Sequence, residues 1–366
     1  MKTFGFFVGE LGAGGQETQL VYLLTELRKK DVSCALVVWD YQSKTDHKAH
    51  ADLLESLGVD ILLLSNQSIR SKLKLSRQFL SKTTCSSLQC FAFYLNFYCW
   101  LICLLTPMKP IGGIRNRLAQ YRTSGFIRFW LCSLFPVLKI SNNRKYQVGF
   151  ANPMVKVIYS RTAVVTNQIS VPPIKPDRDF TSDQVFQSVS VARLYPEKNI
   201  PLLLHGIANA VNAGVQINHV HAGTGALHDE LVELRDQLGI QDHFRFLGEV
   251  DNIPSLLCSR NLFIHSSRYE GFPNVIMEAM CYALPIITTR CGDAEELVHN
   301  GVNGYFISMV DPMNLTSKLV HVQSNWDILS SFSENSYNMA KEKFGLEKLA
   351  THTMEAYAIL LPQNHS

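Results

Sequence analysis

At 366 residues with 46% hydrophobic content, the chain holds enough apolar mass for two cores of ordinary domain size. Its nine cysteines are odd in number and contain no Cys-x-x-Cys pair, which argues against a disulfide framework or a structural zinc and fits reduced thiols in the cytosol. The net charge of +3 hides a division: residues 61–176 hold sixteen Lys and Arg and no Asp or Glu, while the remainder carries 18 basic and 31 acidic residues. One-sided charge of this kind marks an anionic partner.

In chain order, Thr3-Phe-Gly-Phe-Phe-Val-Gly9 reads as a short apolar strand. It is too short for the core of a signal peptide, and Glu10 interrupts it. Glu10-Leu-Gly-Ala-Gly-Gly-Gln-Glu-Thr18 follows, then a helical run from Gln19. Gly14 and Gly15 offer a backbone nest at a helix N-terminus, a place suited to an anion. Asp40 at the end of the next strand imitates a dinucleotide fingerprint, but counting from Gly12 and Gly14 the third glycine position is Glu17, so that reading fails on spacing. Strands are expected near 3–9, 34–40, 60–65, 91–95, 110–115, 135–141 and 162–167. Within this half, Cys90 to Thr106 is nearly all apolar and aromatic, and Phe126 to Phe135 mixes Arg128 with bulky rings. A membrane span wants about 20 such residues and Pro107 comes too soon. A span, a buried strand-turn-helix and a partly inserted interfacial helix all remain open for this run.

Three prolines in Ser170-Val-Pro-Pro-Ile-Lys-Pro-Asp177 mark a break between domains. Beyond it, strands are expected near 188–193, 217–223, 244–248, 261–267, 284–289 and 304–308, alternating with helices. Such alternation implies parallel sheets with helices on both faces, an α/β architecture. The first of these strands runs into Arg193-Leu-Tyr-Pro-Glu-Lys198, so two cations leave a carboxyl end where anionic ligands bind in open sheets. A solvated loop with Lys198 paired to Glu197 is the bland alternative. The second ends in Gly223-Thr-Gly225, where missing side chains let backbone come close to a ligand. The fourth leads into Glu270-Gly-Phe-Pro-Asn-Val-Ile-Met-Glu278, with Pro273 suited to a first helical turn. At roughly 1.5 Å rise per residue, Glu270 in the loop and Glu278 in the helix can reach one crevice at two depths. Two glutamates near a helix start can also be a mere response to the helix dipole. Histidines 219, 221 and 265 lie on expected strands and read as packed or hydrogen-bonded side chains, with a pocket-lining role as the minority case.

Val191-Ala-Arg-Leu-Tyr-Pro-Glu-Lys-Asn199, Ala222-Gly-Thr-Gly225, Phe246-Leu-Gly248, Glu270 to Glu278 and Asn300-Gly-Val-Asn-Gly-Tyr-Phe306 together resemble the family 4 glycosyltransferases, retaining enzymes with the GT-B fold. The resemblance covers the second half almost continuously. It implies two Rossmann-like doubly wound domains facing a cleft, an acceptor-side domain over 1–170, a nucleotide-sugar domain over 171–343, and a helix over 344–366 that returns to the first. By likeness, Arg193 and Lys198 neutralise a donor diphosphate, Glu278 holds the ribose, and Glu270 contacts the transferred sugar, so Glu270, Arg193 and Lys198 are the residues assigned to catalysis. Gly14, Gly15, Gly223, Thr224, Gly225, Gly271, Phe272, Pro273 and Asn274 complete the expected donor-binding set, with no cofactor and no metal required. Two departures stand out. Ala192 replaces the glycine usual before the arginine, and no histidine occurs between His50 and His205, so the family histidine after the fourth strand is absent, with Tyr94 or Asn96 in its place.

The activity implied is sugar transfer from a nucleoside diphosphate to a saccharide acceptor, with a polyprenyl-diphosphate-linked saccharide expected. It belongs with cell-surface polysaccharide assembly of the O-antigen type. The basic first domain would hold the enzyme peripherally on the inner face of an anionic membrane through residues 61–176. No nucleic-acid motif is present. A GT-B sugar-nucleotide epimerase, which would need carboxylates that 61–176 does not supply, and a noncatalytic sugar-nucleotide-binding membrane adaptor are the rival readings.

Overall fold

The computed structural model describes residues 3–12, 14–115, 126–142, 144, 161–178, 180 and 185–361, and these form two compact units. Unit 1 comprises Met1–Gln168 together with Leu346–Ser366, and unit 2 comprises Ile169–Gly345.

Each unit is built on one parallel sheet. In unit 1 the strands β1 (Thr3–Val8), β2 (Cys34–Val38), β3 (Asp60–Leu63), β4 (Cys85–Cys90), β5 (Lys109–Ile114), β6 (Leu138–Ser141) and β7 (Thr162–Val164) lie in the order β3-β2-β1-β4-β5-β6-β7. In unit 2, β8 (Phe186–Val191), β9 (Ile217–Ala222), β10 (Phe244–Gly248), β11 (Leu262–His265), β12 (Ile286–Thr289) and β13 (Gly304–Ile307) lie in the order β10-β9-β8-β11-β12-β13. Every strand pair is parallel. The order reverses between β1 and β4 in one sheet and between β8 and β11 in the other. At such switch points the loops leaving the carboxyl ends diverge and open a crevice.

Strands covered by helices on both faces need apolar residues at successive positions, and Cys-Ala-Leu-Val-Val in β2 is buried throughout. Alternate residues then feed two clusters per sheet. Phe6, Val8, Leu36 and Val38 pack with the helices Gly15–Lys29 and Glu347–Leu360, whereas Phe7, Ala35 and Val37 pack with the helix Asn96–Cys103. Unit 2 repeats the division, with Phe186, Ile217 and Ile264 in one cluster and Val189, Val220 and Phe263 in the other. Each such Val, Leu, Ile or Phe side chain, removed from water, contributes roughly 1.5–3 kcal/mol. The terminal helix is tied into unit 1 by Tyr357, which stacks on Phe4 with centroids 5.0 Å apart and donates to Gln89 Oε1 at 2.5 Å.

One expected strand is misplaced. Residues 91–95 form no strand; β4 is Cys85–Cys90, and Phe93–Leu95 is a 3₁₀ turn leading into Asn96–Cys103. The apolar run from Cys90 is therefore strand end, turn and short helix. Among the described residues no helix is long and apolar enough to cross a membrane.

Candidate functional site

The crevice of unit 2 is built by the loops after β8 and β11. After Val191 the chain leaves the sheet through Ala192 to Tyr195 and turns once as a 3₁₀ helix over Pro196–Lys198. Asn199 then takes a left-handed conformation (φ 54°), anchored by its Nδ2 donating to Met309 O at 3.0 Å, and the helix Ile200–Asn212 begins. The Gly223–Gly225 loop lies directly against this path. A Cβ on Gly223 would sit 2.0 Å from Ala192 O and one on Gly225 2.4 Å from Leu194 O. Both glycines are thus required by neighbouring backbone, and Leu194 N donating to Thr224 O at 2.9 Å joins the two loops.

A chain of buried side chains fixes the Ala192 carbonyl from behind. His221 Nε2 lies 3.0 Å from that carbonyl and can only donate to it, which makes Nδ1 the acceptor for Ser190 Oγ at 2.7 Å. Ser190 in turn accepts from His219 Nε2 at 2.8 Å, and His219 Nδ1 accepts from Ser188 Oγ at 2.9 Å. Burial keeps both imidazoles neutral: it pushes His221 down to about 4 and His219 well below the usual histidine range. The sequence reading of these two as hydrogen-bonded core residues matches this geometry.

The loop after β11 is laced to the loop after β8. Ser266 Oγ donates to Lys198 O at 2.8 Å, and Arg268 N to Glu197 O at 2.8 Å. Lys198 pairs with Glu270, not with Glu197: its Nζ lies 2.6 Å from Glu270 Oε1. The same oxygen accepts from Ser267 Oγ at 2.9 Å and stands 3.5 Å from His265 Nε2. Two donors and the longer His265 contact thus converge on Oε1, and Oε2 accepts nothing from the described residues. Burial opposes charge on Glu270, but His265 and Lys198 outweigh it and hold the carboxyl down at about 2. Burial likewise opposes charge on His265, yet the Cys291 thiol and Glu270 push it up to about 9. Gly292 (φ 51°) closes the floor, since a Cβ there would lie 2.3 Å from Gly271 O.

Pro273 precedes the helix Asn274–Cys281 as its cap residue, one place ahead of the expected first turn. Phe272 is buried and meets Phe344 edge-on at 5.9 Å. The carboxylate of Glu278, in the second turn, has no hydrogen-bond or ion-pair partner among the described residues, and burial pushes its pKa above the usual range. Arg193 is exposed, with its guanidinium 5.3 Å from the Tyr195 ring. Of the four charged residues singled out by sequence, Lys198 and Glu270 are in contact, Arg193 shares the Lys198 loop, and Glu278 stands on the helix that follows Glu270. The sequence missed Ser267 and His265 as anchors of Glu270. Their only signal was His-Ser-Ser, three polar residues closing an apolar strand.

Unit 1 presents a different crevice. Gly14 caps the helix Gly15–Lys29, and Glu17 folds back over it, its Oε2 2.3 Å from where a Gly14 Cβ would stand. A carboxylate of the chain itself therefore lies beside the expected nest, and burial raises its pKa. Of the two candidates for the missing histidine, Asn96 is fully buried and fully used, accepting from Gly113 N at 2.8 Å and donating to Gly113 O and Cys132 O at 3.2 and 3.3 Å. Tyr94 sits over β1's end, its hydroxyl 1.9 Å from a Cβ placed on Gly9. Part of the basic segment is likewise internal. Lys72 donates to Trp39 O at 2.6 Å, Arg77 binds Leu101 O and Ile102 O, and fully buried Lys139 donates to Pro136 O at 2.5 Å. Residues 116–125, 143 and 145–160, which carry further Arg and Lys, lie outside the described residues. Among the described residues no group of His, Cys, Asp and Glu is arranged to hold a metal ion.

The residues of this site lie in a stretch that is similar to known proteins. Residues 176–339, nearly all of unit 2, match the family model described as glycosyl transferases group 1. Across its length the chain has the two-domain parallel-sheet architecture of GT-B glycosyltransferase structures. Anabaena Alr3699/HepE, solved in complex with UDP, superposes with a TM-score of 0.81 at 19% identity, covering 98% of this chain and 100% of that one. It has also been solved with UDP-glucose, with a TM-score of 0.80 at the same identity and coverage. In sequence the chain is 31% identical over 136 residues to the Vi polysaccharide biosynthesis protein VipC/TviE of Salmonella typhi, covering 36% of this chain and 23% of that protein. It is 27% identical over 135 residues to N-acetyl-alpha-D-glucosaminyl L-malate synthase of Bacillus anthracis, covering 37% and 35%. The matches thus span about a quarter to a third of these relatives' own lengths.

Proposed function

We propose that the chain is a retaining glycosyltransferase that moves a hexose from a nucleoside diphosphate to a saccharide hydroxyl. The observation that carries this is the Lys198–Glu270 pair at the β8/β11 switch point, flanked by an exposed arginine on one loop and a partnerless, half-buried glutamate on the next helix. A nucleotide sugar asks for this set: cations for the diphosphate and carboxylates for hydroxyls. The match to glycosyl transferases group 1 over the same residues, and the UDP and UDP-glucose bound by the structural neighbour, support it.

In this reading Arg193 and Lys198 stabilise charge growing on the departing diphosphate as the anomeric bond breaks. Glu278 accepts from the ribose hydroxyls and Glu270, through its open Oε2, from the sugar. The acceptor approaches on the leaving-group face, and the departing diphosphate takes its proton, so configuration is retained without a covalent glycosyl-enzyme. Gly223, Thr224, Gly225 and the Gly271–Asn274 backbone shape the donor crevice of unit 2. No metal or cofactor enters the reaction.

The acceptor we assign is a polyprenyl-diphosphate-linked saccharide in cell-surface polysaccharide assembly, a role supported by the partial likeness to a Vi polysaccharide biosynthesis protein. Unit 1 would meet the inner membrane face through the helices Asn96–Cys103 and Phe126–Leu134 and their ends. There Leu104, Leu105, Ile127, Leu134 and Val137 are exposed on the elements that carry the Phe97, Trp100 and Phe135 rings, and Arg128 is exposed with its guanidinium 5.6 Å from the Tyr94 ring. Apolar side chains with a cationic rim suit an anionic lipid surface. The test is release of UDP from UDP-sugars in the presence of a membrane extract. Wild-type protein should turn over at least one donor, and Glu270→Ala and Arg193→Ala should not; equal turnover by all three would refute the assignment.

A further inference from the structure

We propose that His265 is a positioning residue that takes over the Glu270 carboxylate when Lys198 turns to the donor diphosphate. This rests on the donor reading above, which gives Lys198 and Glu270 separate tasks. In the ligand-free protein they cannot perform those tasks, because at 2.6 Å each neutralises the other. A diphosphate, with more than one negative charge, draws the ammonium away and leaves a largely buried carboxylate, 16% exposed, short of its main counter-charge.

The structure holds a replacement in reserve. His265 Nε2 is buried, makes no hydrogen bond, and faces Glu270 Oε1 at 3.5 Å, an ion-pair distance but too long for a hydrogen bond. A buried nitrogen left unsatisfied is costly and unusual, and a closure of about half an ångström would satisfy it. The imidazole is carried on β11, whose backbone pairs in register with Thr288 of β12, whereas Glu270 stands in the loop beyond the strand. The titratable groups that face it are Glu270 and the Cys291 thiol, with Lys198 lying across Glu270, and together they favour its charged form against burial. Ser267 Oγ, already 2.9 Å from Oε1, holds the same oxygen throughout. The carboxylate therefore stays ionised and oriented, with Oε2 turned out to accept a sugar hydroxyl in either state.

The test is ¹⁵N-histidine NMR on the full chain, with the His265 signals identified by their loss in His265→Asn. In wild type, His265 should titrate well above the ordinary histidine range, and Glu270→Gln should lower that midpoint by one unit or more. Lys198→Met removes the competing cation without any ligand: the midpoint should rise above wild type and the Nε2 resonance should move toward a hydrogen-bonded position. Saturating UDP should move wild-type Nε2 the same way. His265→Gln should keep the UDP Kd within twofold, while the acid limb of its UDP-release profile moves up by one unit or more, a change that a purely structural role would not produce. An ordinary, Glu270-independent titration, or a Lys198→Met spectrum like that of wild type, overturns the proposal. Failure of UDP, GDP and ADP alike to bind wild type defeats the donor reading instead, and the Lys198→Met arm still decides the role of His265.

Discussion

In unit 2 the elements flanking the β8/β11 switch point bring a lysine, a serine and a histidine within 3.5 Å of one glutamate oxygen. In unit 1 the loops flanking the β1/β4 switch point bring a glutamate over a glycine nest and a tyrosine over Gly9. Cations of the basic segment are in part turned inward, onto carbonyls at Trp39, Leu101, Ile102 and Pro136. The same strand order thus yields two crevices with different chemistry, one mixed in charge, the other lined by a half-buried acid and a phenol. Topology fixes where a ligand can bind, and side chains decide what kind.

The sharpest way to break this contrast is to remove a cation from unit 2. Lys198→Ala or Arg193→Ala should lower UDP-sugar turnover by roughly 100-fold, as loss of one transition-state donor commonly does. Turnover within a few-fold of wild type would show that the unit 2 loops are not the donor site. In unit 1 the largest effect should be structural. Asn96→Ala strands the Gly113 and Cys132 backbone groups and should cost about 2–3 kcal/mol in urea unfolding, with UDP binding unchanged; loss of UDP binding would join the two crevices in a way this account does not allow.

A pH comparison sharpens the difference further. His265 has its pKa raised, so its contribution to unit 2 is complete below about 6.5 and is lost as pH rises through about 9. Glu270 has its pKa lowered, so its contribution is present above the ordinary carboxylate value and lost only as pH falls toward about 2. Lys139 in unit 1 has its pKa lowered to about 7 by burial, so unit 1 gains stability as pH climbs from there toward the ordinary lysine value. Calorimetry between pH 6.5 and 8.5 should move the two unfolding transitions in opposite directions, and His265→Asn should remove the slope from unit 2 alone. Parallel shifts would contradict these assignments. The smallest effect expected is at the membrane. Leu105→Asp or Ile127→Asp, at positions 95% and 74% exposed, should weaken co-sedimentation with anionic liposomes about fivefold, worth ~1 kcal/mol, and wild-type binding should fall with salt.

What the sequence made legible follows from the same contrast. The strands of unit 2 announced themselves because Ile, Val, Leu and Phe fill them, and the charged residues at their ends belong to the loops that carry the site. β4 was hidden because Cys-Ser-Ser-Leu-Gln-Cys looks like a loop. Its Ser87 and Gln89 are nevertheless buried, and Gln89 is satisfied by Tyr357 Oη, 268 positions away, a partner no local pattern reveals. The aromatic run at 91–95 drew the strand assignment instead. Asn96 and Tyr94 were indistinguishable as candidates until the backbone of Gly113 claimed one of them. The pairing of Lys198 with Glu270 across 72 residues, and the convergence of His265 on the same oxygen, required the register of β8, β11 and β12. Gly223 and Gly225 were found by sequence, but the backbone that makes them glycine is that of Ala192 to Leu194.

The central claim is that the polar side chains at the carboxyl ends of β8 and β11 form one nucleoside-diphosphate site. Isothermal titration of UDP, GDP and ADP into wild type, Arg193→Ala and Glu278→Ala tests it directly. The account predicts that at least one nucleotide binds wild type and that each substitution weakens it tenfold or more. Binding of none, or binding that both variants retain unchanged, would contradict it.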